Sequence, residues 1–166
     1  MKKLTYTLLA ATALFLVGCL NPTEYPNEPE ITSLILTQNG NAAEMKIGFT
    51  DGDGNLGLSE SDTVGVHCPD TCINHWNIFC EYYELQNGTW VHEFIDWTND
   101  SNIPFYYRTP RVEPTGQNPA LVGEIAIEMP FFYLMSEFDT ARFEVKIVDR
   151  DLNESLVEMT SAFIKP

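Results

Sequence analysis

The sequence predicts an all-β domain, an immunoglobulin-like antiparallel β-sandwich of seven or eight strands. Short segments after residue 30 alternate apolar and polar residues with a period of two, as half-buried strands do. Turn signals separate these segments, including the hairpin dipeptides Asn39-Gly40 and Asn87-Gly88. Because each strand has one hydrophobic face, two sheets packed face to face are favoured, and a small antiparallel β-barrel is the alternative.

The predicted strands are short and regularly spaced. They lie near residues 31–37, 44–50, 75–84, 89–97, 103–110, 121–129, 140–148 and 156–165. Alternation assigns the following side chains to the core: Met45, Ile47, Phe49, Leu121, Ile125, Ile127, Met129, Phe143, Val145 and Ile147. Pro104 and Pro110 interrupt the fifth segment, which is typical of an irregular edge strand.

Residues 1–18 have the pattern of a lipoprotein signal peptide. Lys2 and Lys3 precede an apolar run at 4–17, which is too short to span a bilayer as a helix. The run ends in the lipobox Leu-Val-Gly-Cys at 16–19, so Cys19 is expected to become the lipid-bearing first residue of the mature protein. Two or three acyl chains anchor a protein firmly, since each buried methylene contributes about 0.8 kcal/mol.

Behind the anchor, residues 19–30 form a Pro-rich tether and residues 31–166 form the predicted domain. Leu20 stands where inner-membrane lipoproteins of well-studied bacteria carry Asp, so an outer-membrane location is expected, with the cell surface favoured over the periplasmic face. Removing the two signal-peptide lysines leaves 7 basic and 24 acidic side chains, a formal charge of −17. Nucleic acid is therefore excluded as a partner.

With Cys19 assigned to lipid, three cysteines are left. Cys80 falls on the apolar face of the segment 75–84, which predicts a buried free thiol. A local Cys68–Cys72 disulfide is then expected in an oxidising compartment. A zinc site built from these cysteines with His67 and His75 is the less favoured alternative, because zinc requires reduced thiols.

The sharpest motif is the acidic loop that follows the second strand. Asp51, Asp53, Asn55, Ser59 and Asp62 occupy the first, third, fifth, ninth and twelfth positions of an EF-hand loop, and Ca²⁺ takes six to eight such oxygens. The pattern departs from an EF-hand because the sixth position is not Gly, the twelfth is not Glu, and a strand leads in. The loop is predicted to bind Ca²⁺ with another geometry, and a solvated Asp-Gly turn is the alternative.

A second acidic run, between the last two strands, repeats the pattern with Asp149, Asp151 and Asn153. Arg150 within it is a competing ion-pair partner. Seven strands place the two runs at the same end of a sandwich, where they can build one site, whereas eight meandering strands place them at opposite ends.

No motif for a catalytic serine, a zinc protease or a phosphate-binding loop occurs. The 24 acids leave carboxylate-pair chemistry open without selecting a pair. The aromatic runs 105–107 and 131–133 are more often core positions than surfaces for sugars or protein partners.

The lipobox, the segment Phe-Thr-Asp-Gly-Asp-Gly-Asn-Leu-Gly at 49–57 and the segment Val-Asp-Arg-Asp-Leu-Asn-Glu-Ser at 148–155 resemble a group of uncharacterised lipoproteins from Bacteroidota. The resemblance implies a β-sandwich on the outer membrane, often on its outside face, and implies no known activity. Asp-Thr-apolar triplets at Thr63 and Thr140 are similar to the O-glycan acceptors of that phylum.

The expected function is that of a non-enzymatic, outer-membrane-anchored binding or accessory subunit of an envelope complex for uptake, secretion or assembly. Its expected partners are the membrane, through Cys19, and an envelope protein or glycan. The alternative is a small carboxylate-dependent glycan hydrolase at the cell surface.

Overall fold

Nine strands and one 3₁₀ turn make up the computed structural model, which describes residues 23–62, 67, 73–92, 105–115 and 117–166. The strands are β1 (Glu30–Asn39), β2 (Ala42–Asp51), β3 (Ile78–Gln86), β4 (Thr89–His92), β5 (Phe105–Tyr107), β6 (Leu121–Met129), β7 (Thr140–Ile147), β8 (Glu158–Met159) and β9 (Phe163–Ile164), and the 3₁₀ turn is Ile73–His75. Cys19, Thr63, Cys68 and Cys72, with the predictions made for them, lie outside the described residues. Within the described ranges, no helix has the length and apolar character needed to cross a bilayer.

The strands form two antiparallel sheets. The first has the order β1-β2-β6, and the second has the order β4-β3-β7-β8, with β5 also paired to β3 and β9 also paired to β7. In the second sheet, β4 and β5 pair with different parts of β3, and β8 and β9 pair with different parts of β7. The six strands of this sheet therefore occupy four strand positions side by side. Seven positions in this order match an immunoglobulin-like sandwich, and across the described strands the sheets do not close into a barrel.

The core lies between the inner faces of the two sheets. Met45 and Ile47 on β2 are fully buried, as are Phe143, Val145 and Ile147 on β7. All ten side chains predicted to point inward are buried in the core or packed against it. The prediction for Cys80 is confirmed, since its thiol is buried and free, with Sγ 3.7 Å from Met45 Sδ. Burial raises the pKa of this thiol well above its usual range.

The hairpin dipeptides both mark tight turns. Asn87 and Gly88 are the central residues between β3 and β4, and both have positive φ, as a type I′ turn requires. In the β1–β2 turn the central residues are Gly40 and Asn41, and of these two only Gly40 has positive φ. That turn is therefore of the II′ kind and is shifted by one residue from the expected Asn39-Gly40 centre.

The predicted strand at 103–110 ends at Tyr107 within its described residues, and two further predicted strands differ in extent from those observed. The segment at 75–84 becomes β3 only at Ile78, because it is preceded by the 3₁₀ turn Ile73–His75. Asn77, between the turn and the strand, donates its backbone N–H to Tyr107 O and accepts from Thr109 N through its Oδ1. The segment at 156–165 is split into β8 and β9 around Thr160. The Thr160 hydroxyl oxygen accepts a hydrogen bond from Phe143 N, in place of a backbone carbonyl.

Candidate cation site

Three aspartates converge at one end of the sandwich. Asp51 is the last residue of β2, Asp53 follows in the same loop, and Asp149 comes two residues after β7. One carboxylate oxygen from each lies within 4.8 Å of the others, and Asp51 and Asp149 are almost completely buried. The two acidic runs therefore share one end, as the seven-position sandwich requires.

Three buried oxygens in this cluster have no hydrogen-bond partner among the described residues: Asp51 Oδ1, Asp53 Oδ1 and Asn55 Oδ1. The second oxygen of Asp51 is satisfied, because it accepts from Leu56 N at 2.7 Å. The Asn55 amide nitrogen donates to Asp53 Oδ2 at 3.2 Å and to Asp151 Oδ2 at 3.0 Å, which leaves the Asn55 oxygen as the free acceptor. Buried acceptors without a partner are costly, and a cation bound by the carboxylates of Asp51 and Asp53 would offset part of that cost.

Asp149 is held in place by the turn that follows it. Its Oδ1 accepts from Asn153 N at 2.8 Å, and its Oδ2 accepts from Asn153 Nδ2 at 2.7 Å. The Asp149 backbone carbonyl also accepts from Leu152 N at 3.3 Å. Asn153, predicted as a ligand, thus orients Asp149 through its side-chain nitrogen, and Asp151 is linked to the cluster through Asn55.

The other two predicted ligands, Ser59 and Asp62, contact Arg150: Asp62 forms an ion pair with it, and Ser59 accepts a hydrogen bond from it. Arg150 Nη1 lies 2.7 Å from Asp62 Oδ2 and 3.3 Å from Ser59 Oγ. The hydrogen bond from Ser59 N, reinforced by Arg150, lowers the pKa of Asp62. Arg150 therefore competes for the acidic loop, and the candidate ligands narrow to Asp51, Asp53, Asn55 and Asp149.

Asp51 carries an electrostatic cost in the absence of a cation. The pKa of its carboxyl is raised from 3.8 to about 6, mainly by burial and also by the negative charges of Asp53 and Asp149, while the hydrogen bond from Leu56 N opposes the shift. A buried carboxylate crowded by two others is destabilised by its own charge. A bound cation would attract the Asp51 carboxylate and so replace the repulsion between the carboxylates by a favourable interaction.

The free energy of unfolding, measured with chelator present, should therefore fall as the pH rises from about 4 to about 7. The folded chain holds the Asp51 proton up to about pH 6 and the unfolded chain only to 3.8, so the stabilisation is complete below the lower value and lost above the higher one. At about 1.4 kcal/mol per pKa unit, the loss is on the order of 3 kcal/mol.

Urea unfolding of the wild type and of Asp51→Asn across this pH range measures the effect. The asparagine variant lacks the titrating group, so its stability relative to the wild type should rise with pH. If the free energies of unfolding of the two proteins changed in parallel with pH, the electrostatic cost assigned to Asp51 would be wrong.

Close backbone packing fixes the shape of the loop. Gly54 has a φ of +70°, and a Cβ there would lie 1.9 Å from Pro119 O. A Cβ at Gly52 would lie 2.3 Å from Tyr25 O, and Gly52 N donates to Pro26 O at 2.8 Å. The second half of the predicted tether therefore packs against the acidic loop, a contact for which the sequence carried no signal apart from the glycines themselves.

The other predicted positions lie apart from this site. Thr140 begins β7, and its hydroxyl donates to Asp139 Oδ1 at 2.7 Å. In the aromatic runs, Phe132 is fully buried and Phe105 packs against the core, whereas Phe131 is exposed. Tyr106 lies on the outer face of the six-stranded sheet and donates to Glu81 Oε1 at 2.6 Å.

Comparison with known proteins yields distant similarity to one enzyme. The chain is 30% identical over 132 residues to phosphoribosylformylglycinamidine cyclo-ligase from Clostridium kluyveri, an alignment that covers 75% of the chain and 35% of the enzyme. The enzymes of the same name from Caldicellulosiruptor bescii and Lachnoclostridium phytofermentans are 30% and 31% identical, over 35% and 36% of their lengths. The chain thus spans about a third of these curated relatives. No protein-family profile and no solved structure matches it.

Proposed function

We propose that this protein is a non-enzymatic lipoprotein of the outer membrane, anchored through Cys19 and stabilised by Ca²⁺, that acts as a binding or accessory subunit of an envelope complex. The observation that carries the proposal is the buried cluster of Asp51, Asp53 and Asp149 with its unpartnered oxygens. The lipobox and the Pro-rich segment support the anchor. The cyclo-ligase activity of the relatives is not part of the proposal, because the chain spans only a third of those enzymes.

The donor set fits calcium. The candidate ligands are carboxylate oxygens of Asp51, Asp53 and Asp149 and the amide oxygen of Asn55, and such hard oxygen donors are the ones that Ca²⁺ prefers. Two oxygens on one calcium ion lie at most about 5 Å apart, twice the usual Ca–O distance of about 2.3–2.6 Å. The separation within 4.8 Å agrees with this limit. The formal charge of three carboxylates also favours a divalent cation.

Calcium should raise the melting temperature of the full chain. A ligand that binds only the folded state, at 100 times its dissociation constant, stabilises by about 2.7 kcal/mol. For a chain of this size that corresponds to a shift of about 5–10 °C. Melting curves with EDTA and with millimolar CaCl₂, followed by circular dichroism, measure it, and superimposable curves would overturn the proposal.

Two asparagine variants make the test specific. Asp51→Asn removes a charge from the cluster, so it should raise the melting temperature in EDTA and abolish most of the calcium shift. Asp62→Asn removes the same formal charge from a side chain that pairs with Arg150 outside the cluster, so its calcium shift should equal that of the wild type. A shift lost equally in both variants would assign the effect to net charge, not to the cluster.

A further inference from the structure

The acidic loop alternates two kinds of residue. Asp51, Asp53 and Asn55 are candidate ligands, and Gly52 and Gly54 lie between them, each packed against another part of the chain. Ligand positions and packing positions therefore share one short stretch of backbone. Because rigid, planar peptide units join these residues, a rotation that moves a ligand also moves the glycine next to it.

Gly52 is the point where the segment before β1 docks on this loop. Its N–H donates to Pro26 O at 2.8 Å, and a Cβ on Gly52 would lie 2.3 Å from Tyr25 O and 2.4 Å from Pro26 O. Gly52 does not have a positive φ, so glycine is needed here for the close approach of another backbone and not for its own conformation. The carbonyl groups of Tyr25 and Pro26 thus lie directly on the acidic loop.

Residues 23–28, here called the strap, lie mostly on the surface. Tyr25 is half-buried, and the other side chains of the strap are exposed. Burial of apolar surface therefore contributes little to holding the strap, and the net contribution of a single hydrogen bond is modest. Pro29 is buried and Glu30 pairs with Thr50 at the start of β1, so the fold holds the chain from residue 29 onward. Docking of the strap is thus a marginal equilibrium, which the conformation of the acidic loop decides.

Repulsion between carboxylates acts on this loop when no cation is bound. Oxygens of Asp51, Asp53 and Asp149 lie within 4.8 Å of one another, and Asp51 is fully buried with its Oδ1 unpartnered among the described residues. Separation of Asp51 from Asp53 relieves the repulsion, and it requires rotation about the backbone of Gly52, the residue between them. That rotation turns the Gly52 N–H away from Pro26. A bound cation holds the two carboxylates together and so keeps the N–H directed at the strap.

We propose that cation binding and strap docking are coupled: calcium in the acidic loop holds the strap on Gly52, and removal of calcium releases the strap as far as Pro29. The inference rests on the proposed function, because it names the event that the calcium site regulates. Coupling between two equilibria is reciprocal, so the docked strap raises the affinity for calcium by the same factor by which calcium favours docking. Couplings of this kind are typically about 5- to 150-fold.

Limited proteolysis of the full chain in zwitterionic micelles measures release of the strap. A glutamyl endopeptidase cuts the Glu24–Tyr25 bond when the strap has left the loop, so the rate of this cut, followed by mass spectrometry, reports the released fraction. We expect millimolar CaCl₂ to slow the cut at least fivefold relative to EDTA. Equal rates in the two conditions, while calcium still raises the melting temperature, would overturn the coupling and leave the cation site standing. If calcium does not raise the melting temperature, the cation site falls and the coupling with it.

Gly52→Ala removes the docking point and keeps every candidate ligand. Its added methyl meets the carbonyl oxygens of Tyr25 and Pro26, so the strap should be cut at the same rate with and without calcium. By reciprocity, the dissociation constant for calcium, measured by calorimetry, should rise at least fivefold. If calcium slowed the cut in this variant as much as in the wild type, the protection would come from the stability of the whole domain, and the proposal would be wrong.

Pro26→Gly changes the strap and leaves the acidic loop and the accepting carbonyl group in place. A glycine gives the released strap more conformational freedom, so the ratio of the cleavage rates in EDTA and in calcium should fall about two- to fivefold. Pro130→Gly is the matched control, because Pro130 is exposed and follows β6 at the opposite end of the sandwich from the acidic loop. Its ratio should equal that of the wild type. An unchanged ratio in Pro26→Gly contradicts the proposal.

Discussion

Replacing Lys165 by Met should lower the free energy of unfolding by about 3–5 kcal/mol, because it leaves a buried carboxylate without its counter-charge. Glu84 on β3 is fully buried on the core side of the sheet, and its Oε1 lies 2.8 Å from Lys165 Nζ. The same ammonium donates to Ser136 Oγ at 2.8 Å and to Leu134 O at 3.0 Å. One cation near the C-terminus thus satisfies acceptors on two other segments.

Urea unfolding of the full chain measures this loss, and two further variants identify its cause. Lys46→Met breaks an exposed pair with Glu124 at 3.6 Å and should cost less than about 1 kcal/mol. Adding Glu84→Gln to Lys165→Met removes the stranded charge, keeps an acceptor for the Tyr82 hydroxyl and offers an amide N–H to the Ser136 hydroxyl, so it should recover most of the stability. A loss in Lys165→Met no larger than in Lys46→Met would show that the buried pair is not what holds the C-terminal segment.

Gly54→Ala should destabilise the fold by about 2–5 kcal/mol and remove the calcium response with it. The positive φ alone costs a non-glycine residue about 1–2 kcal/mol, and forced overpacking typically adds about 1–3 kcal/mol. The added methyl would clash with Pro119 O and, at 2.6 Å, with Pro114 Cγ, so the acidic loop and the segment 114–119 must move apart. Asp53 and Asn55 flank Gly54 and would move with it.

Gly40→Ala is the matched control for this substitution. Gly40 has a similar φ of +60°, but nothing lies within 4 Å of its Cβ position. It should therefore show only the conformational cost and keep the full calcium shift. Melting curves of both variants with EDTA and with calcium provide the comparison. Equal losses in the two variants would mean that the contact with Pro119 is unimportant.

The fold was predictable because its signals are local. Alternation identified the inward faces of β2, β6 and β7, and the two glycine-containing dipeptides located the hairpins. The boundaries of β3 and the division between β8 and β9 were not predictable, because side chains of Asn77 and Thr160 replace backbone partners there. Whether a polar side chain bonds a distant backbone depends on tertiary packing, which the alternation does not encode.

The sequence predicted the types of residue that form the candidate site, but not which of the predicted residues lie in the cluster. Spacing along the chain selected eight oxygen-bearing residues, yet Arg150 pairs with Asp62, and Asn153 turns its amide nitrogen toward Asp149. The first outcome depends on the distance between two loops that are 88 residues apart in sequence, and the second is decided within one turn, over four residues. The pairing of Glu84 with Lys165 was hidden because these residues are 81 positions apart.

If Cys19 carries the proposed lipid anchor, the contact between Pro26 and Gly52 limits the distance between the domain and the membrane. Pro26 packs at the end of the sandwich that carries the acidic loop, so residues 19–25 would span the gap between the lipid and the fold. Seven residues reach at most about 25 Å when fully extended. The end of the domain that carries the acidic loops would then lie close to the bilayer surface, so a partner that contacts this end would itself be embedded in the membrane or lie against it.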